Sequence, residues 1–214
     1  MQLVLPRLYV ILDAALLTHP ETQIAASLAE AGVRLLQYRN KQAPARELLE
    51  KSRSLAEKLL PWQVTFIVND RADVAALAGA NGVHVGQDDL AVESARQIVG
   101  PSSIVGVSTH NLEQFAAAAA TSADYIAIGP VFETGTKANP DPVVGTEMIR
   151  AARRLTDKLI VAIGGITLER AAEAMAAGAD SLAVISDILR AADPANRAHQ
   201  FIELLGKANN AATV

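Results

Sequence analysis

Eight short runs rich in β-branched residues alternate with Ala-rich segments of helical period, and this alternation limits the folds open to the chain more than any other feature. The candidate strands are 8–12, 33–39, 65–69, 82–85, 104–107, 125–128, 159–163 and 181–185. The candidate helices between and after them are 22–31, 45–59, 72–78, 91–98, 112–120, 145–155, 168–177 and 194–205. Strands alternating with helices form βαβ units, whose strands run parallel. Eight such units is the number that closes a barrel. The expected fold is therefore α/β, a single-domain (β/α)8 TIM barrel spanning residues 1–214, with 207–214 as a frayed C-terminal tail. A doubly wound open sheet is the alternative, and it asks for a Gly-rich phosphate turn after its first strand. The corresponding segment here, Asp13-Ala14-Ala15-Leu16, has no glycine.

Composition narrows the function classes. The 214 residues are 50% hydrophobic and 20% charged, enough apolar mass for a sizeable core and no pattern of disorder. A formal net charge of −4 lacks the basic footprint of a nucleic-acid binder. The absence of cysteine removes disulfides, thiolate metal sites and cysteine nucleophiles, and fits a reducing cytoplasm. No signal peptide or membrane span is expected from the residues present.

A barrel of this kind works at the C-terminal ends of its strands, and the polar residues gather there. The second strand ends Gln37-Tyr38-Arg39-Asn40-Lys41. Alternation puts Gln37, Arg39 and Lys41 on one face, where two cations and an amide call for an anionic partner. The third strand ends Asn69-Asp70, and Asp88-Asp89 follow the fourth. Asp70 and one of the latter pair suit Mg2+ beside a diphosphate; helix capping is the plainer use of the same residues. His84 reads as a structural histidine. Ser108 ends the fifth strand and either contacts a ligand or, like Thr109, caps the next helix. The sixth strand leads into Thr134-Gly135-Thr136-Lys137 and a long loop, which is either an anion-binding loop or lid or an ordinary mobile surface loop. Gly164-Gly165 after the seventh strand and Ile185-Ser186 after the eighth occupy the usual phosphate position of such barrels.

Taken together, these strand ends resemble the thiamine phosphate synthase family over about residues 7–205. The resemblance rests on Gln37-Tyr38-Arg39-x-Lys41, Asn69-Asp70, His84-Val85-Gly86-Gln87-x-Asp89, Ser108, Gly129-Pro130-Val131-Phe132, Thr134-x-Thr136-Lys137, Gly164-Gly165-Ile166 and Ile185-Ser186. It implies a cytoplasmic transferase of thiamine biosynthesis that joins a hydroxymethylpyrimidine diphosphate to a plain or carboxylated thiazole phosphate, with small-molecule partners only. It also implies roles. Gln37, Arg39, Lys41, Asn69 and Ser108 would bind the pyrimidine diphosphate, Thr134, Thr136, Gly165, Ile185 and Ser186 the thiazole phosphate, and Tyr38, Asn40 and Gly135 are further substrate-binding residues. Arg39, Lys41 and Lys137 would act on the leaving diphosphate, with Mg2+ held by Asp70 and Asp89. Two other uses of the same barrel are a thiazole tautomerase with His110 as its base and a non-catalytic phosphate sensor.

Overall fold

The computed structural model describes residues 3–135 and 141–211. Eight parallel strands close in sequence order into a barrel: β1 Leu8–Asp13, β2 Leu35–Arg39, β3 Thr65–Asn69, β4 Gly82–Val85, β5 Ile104–Thr109, β6 Tyr125–Ile128, β7 Leu159–Ile163 and β8 Ser181–Val184. The seam pairs β1 with β8 in the register Leu8↔Leu182. Helices α1 Glu21–Glu30, α2 Ala45–Leu59, α3 Ala72–Ala78, α4 Val92–Val99, α5 Leu112–Ala119, α6 Gly145–Arg153, α7 Leu168–Ala176, α8 Ser186–Leu189 and α9 Pro194–Ala211 surround it. The closed barrel is the expected fold, and the open sheet is excluded. Among the described residues no helix is long and apolar enough to cross a membrane.

The strands explain the two cores. Along β2, Leu36 and Tyr38 join the large cluster between barrel and helices, while Leu35 belongs to a smaller cluster inside the barrel with Tyr9, Ile11, Ile67, Tyr125, Val161 and Ala183. Successive side chains of a strand point to opposite faces, so one register serves both cores. Burying such aliphatic side chains contributes roughly 1.5–3 kcal/mol each, and the helix layer supplies most of them. The inner cluster fills the barrel interior.

Most element edges lie within two residues of expectation, and three differences bear on the packing. The four-residue α8 was not anticipated, because a single turn is too short to show a period. Strand β5 runs on through Thr109, whose hydroxyl donates to the Ala127 carbonyl oxygen. Helix α9 continues to Ala211, past the expected end at 205 and through most of the expected tail. An established helix extends at little cost through residues of middling propensity such as Asn209 and Asn210. Residues 212–214 lie outside the described residues.

Candidate active site

A cavity of about 550 Å³ opens at the C-terminal end of the barrel. Its wall takes Gln37, Arg39 and Lys41 from β2 and its turn, Asn69 and Asp70 from β3, Asp88 and Asp89 after β4, and Ser108 and His110 from the end of β5. Alternation delivers Gln37 and Arg39 inward together, as expected. It also sends Tyr38 outward. The Tyr38 side chain is fully buried among the helices and its hydroxyl donates to Glu21 Oε1 at 3.2 Å. Asn40 is occupied locally: its Oδ1 accepts from the backbone N–H groups of Gln42 and Ala43, and its Nδ2 donates to the Tyr38 hydroxyl. Tyr38 and Asn40 are therefore not cavity residues, a correction to the sequence expectation. They brace the turn that carries Lys41.

Both carboxylates escape the capping role. The N-cap of α3 is Arg71 and that of α4 is Ala91, neither with a side-chain cap. Asp70 stands at the end of β3 with a left-handed φ of 63°, its N–H donating to the His84 carbonyl oxygen at 2.7 Å. A non-glycine residue in that region costs of order 1 kcal/mol and asks for a reason. The reason on view is position: burial and then the facing Asp89 carboxylate push the Asp70 carboxyl above the usual range, while Lys41, 3.4 Å away, pulls it back. Asp89 is itself held by the Gly86 N–H, which donates to Oδ2 at 2.7 Å. Two facing carboxylates with one half-exposed lysine are a set that a divalent cation fits, since hard cations take oxygen ligands and relieve like-charge repulsion.

Ser108 faces the cavity because Asn111, not Ser108 or Thr109, caps α5 by accepting from the Gln114 N–H. Arg39 is less available than expected. Its Nη1 lies 2.5 Å from Asp13 Oδ2, and Asp13, buried, also accepts from the Ala15 N–H. Asp13 is a site residue that was missed. The signal existed: Tyr9, Ile11 and Asp13 continue the inward period of β1. Tyr9 and Gln87 also line the cavity unanticipated. His110 is anchored, with Nδ1 2.6 Å from the Gly129 carbonyl oxygen.

The far side of the cavity is built differently. Thr134, Gly164 and Ile185 line it, and they also border a small adjoining pocket completed by Gly165, Ile166 and Ser186. Gly164 and Gly165 have φ of 94° and 63°, and a Cβ on Gly165 would lie 2.4 Å from the Glu133 carbonyl oxygen. Any side chain there would displace the loop after β6 as well as fill the pocket. Gly135 is exposed and lines neither space, so it is not among the assembled residues. Thr136 and Lys137 lie outside the described residues.

A model of the thiamine monophosphate synthase family matches residues 8–188. A thiamine-phosphate synthase of Koribacter versatilis is 53% identical over 210 residues, covering 94% of this chain and 96% of the relative. One of Agrobacterium fabrum is 41% identical over 201 residues, covering 91% of each. A solved thiamine phosphate pyrophosphorylase from Pyrococcus furiosus superposes with a TM-score of 0.86 at 33% identity, over 94% of this chain and 96% of that one.

Proposed function

The chain belongs to the thiamine monophosphate synthase family, a family of transferase enzymes, and from that premise we propose that it couples 4-amino-2-methyl-5-hydroxymethylpyrimidine diphosphate to a thiazole phosphate, forming thiamine phosphate and diphosphate. The observation that carries the reading is the division of one cavity into a charged wall, with Arg39, Lys41, Asp70 and Asp89, and a glycine-rich wall with Gly164 and a neighbouring pocket at Gly165 and Ser186. The first suits a diphosphate with its cation. The second suits a monophosphate held by backbone N–H groups.

The chemistry follows from these positions. The bond from the pyrimidine methylene to the diphosphate oxygen breaks, and the oxygen keeps the electron pair. The thiazole nitrogen lone pair then forms the new C–N bond. No proton has to move to or from the protein. Asp70 and Asp89 would hold Mg2+, which supplies charge neutralisation to the diphosphate. Lys41 and Arg39 meet the charge that grows on the leaving oxygens. Asp13 fixes the Arg39 fork against the β1 end, so that arginine orients more than it attracts. Lys137 is proposed to reach the same diphosphate, and Thr134 and Thr136 the thiazole phosphate. A cysteine-free chain acting on phosphorylated metabolites fits the cytoplasm.

The test is steady-state diphosphate release with both substrates at saturating Mg2+. Lys41→Ala should lower kcat by about 10²-fold, the scale of one lost electrostatic stabiliser. His110→Ala should cost less than about tenfold, below the usual contribution of a general acid or base. The reverse pattern would replace coupling with proton-transfer chemistry.

A further inference from the structure

At the inner wall of the cavity, five polar side chains from five strands form one continuous hydrogen-bonded chain through the barrel interior. Gln37 Nε2 donates to the Tyr9 hydroxyl at 2.7 Å, and the Tyr9 and Tyr125 hydroxyls are 2.9 Å apart. The Tyr125 hydroxyl lies 2.9 Å from His84 Nδ1, and His84 Nε2 lies 2.8 Å from Ser108 Oγ. Gln37, Tyr9, Tyr125 and His84 are all buried, Tyr125 completely. The His84 and Tyr125 rings stack, and Tyr9 meets Tyr125 edge-on. The Tyr125 ring occupies the space above Gly106, where a Cβ would sit 2.0 Å from Tyr125 Cζ.

Donor and acceptor counting gives this chain a direction. An amide nitrogen only donates, so Tyr9 accepts from Gln37 and passes its own proton to Tyr125. Tyr125 then donates to His84 Nδ1. That leaves His84 neutral with its proton on Nε2, where it donates to Ser108. Ser108 keeps its own hydroxyl proton for the cavity, and Gln37 keeps its carbonyl oxygen. The opposite arrangement fails: a proton on Nδ1 would make Tyr125 donate to Tyr9, which already accepts from Gln37 and would hold a proton with no acceptor in the chain. A buried donor left in that state costs about 1–3 kcal/mol. Burial keeps both tyrosine hydroxyls protonated well beyond their ordinary range, so each always has a proton to give.

We infer that Tyr125 is a positioning residue: through His84 it sets the proton direction of Ser108, so that Gln37 and Ser108 face the cavity as a matched acceptor and donor. Tyr125 does not line the cavity and acts only through the chain. The pair suits a heteroaromatic ring bearing an amine beside a ring nitrogen. The identity of that ring as the aminopyrimidine rests on the proposed function; the proton order does not.

The experiment is a long-range 1H–15N correlation on protein labelled at its four histidines, without ligand, with His84 assigned through His84→Gln. His84 should show a protonated Nε2 and a bare Nδ1. Tyr125→Phe should remove the bond that fixes this tautomer, raise KM for the pyrimidine diphosphate by about tenfold, and leave KM for the thiazole phosphate within about twofold. An Nδ1-protonated or doubly protonated His84 in the unsubstituted protein overturns the inference, with no variant required to fold. So does a Tyr125→Phe enzyme in which both KM values move together or neither moves. A protein that shows the expected tautomer but does not couple the two substrates would count against the proposed function alone.

Discussion

Before β4, β6 and β8 stand Asn81, Asp124 and Asp180, and each accepts the backbone N–H of a residue in the preceding strand, Phe66, Val105 or Ile160, at 2.7 Å. At the other end of the same barrel, Asp70 and Asp89 are set against each other. The lower end also pairs its charges: Arg96 at the end of α4 meets Asp124 at 2.5 Å, and Arg153 at the end of α6 meets Asp180 at 3.0 Å. There a side-chain oxygen closes a helix-to-strand joint three times over, twice from a carboxylate and once from the Asn81 amide. The upper end leaves a repulsive pair standing at a strained backbone position. Charge at the floor is paired within the fold, whereas the two carboxylates at the mouth face each other across the cavity. That separation matches the general division of labour in such barrels.

The sharpest way to break this comparison is to remove charge at the mouth. Asp70→Asn and Asp89→Asn should each lower kcat by about 10²-fold or more while leaving the melting temperature unchanged or raised. Asp88→Asn should change kcat by less than about threefold. A fall in melting temperature alongside the lost activity would mean that the mouth carboxylates hold the fold. At the floor, Asp124→Ala should do the opposite. It strips an acceptor from the Val105 N–H and a partner from Arg96, so it should cost about 2 kcal/mol, a melting shift of about 4–8 °C, with KM and kcat of the folded enzyme preserved.

A smaller effect should appear in pH. The folded Asp70 carboxyl binds its proton more readily than an unfolded one, so ionising it works against folding. That penalty is absent below the ordinary carboxylate range and complete above the raised value. Metal-free protein should therefore lose stability as pH rises through this window, and Asp70→Asn should flatten that part of a denaturation-against-pH profile. Added Mg2+ should offset the loss; an unchanged profile with Mg2+ would remove the proposed ion from this pair. The smallest change is expected from Tyr38→Phe. It should cost about 1 kcal/mol for the lost hydroxyl bonds and leave both KM values within about twofold. A large KM effect would return Tyr38 to the substrate.

Local regularity explains how much of this could be read from the residues. The strand pattern at β3, β4, β6 and β7 and the helices α2 and α3 follow from short-range period, and the barrel follows from their alternation. The inward side of β2 was legible for the same reason, and the same rule, applied strictly, turns Tyr38 outward and brings Asp13 inward. What could not be read is pairing across the barrel. His84 and Tyr125 are 41 positions apart and Tyr9 and Tyr125 are 116 apart, and nothing in a linear pattern sets one hydroxyl against another at those separations. The bond from the Gly86 N–H to Asp89 likewise belongs to a turn that no linear pattern displays.

The seam between β1 and β8 carries a consequence for how the molecule comes into being. Its register, the bond from the Ser181 hydroxyl to the Pro6 carbonyl oxygen, and that from Arg7 Nη1 to the Leu205 carbonyl oxygen all join segments made early to segments made late. During vectorial synthesis β1 has one edge without its neighbour until β8 emerges, and such edges are open to wrong pairing. The cavity likewise draws on residues from Tyr9 through Ile185, so a nascent chain has no site in which to gather a diphosphate. Ligands cannot template this fold in the making; they can only hold it once the ring is shut.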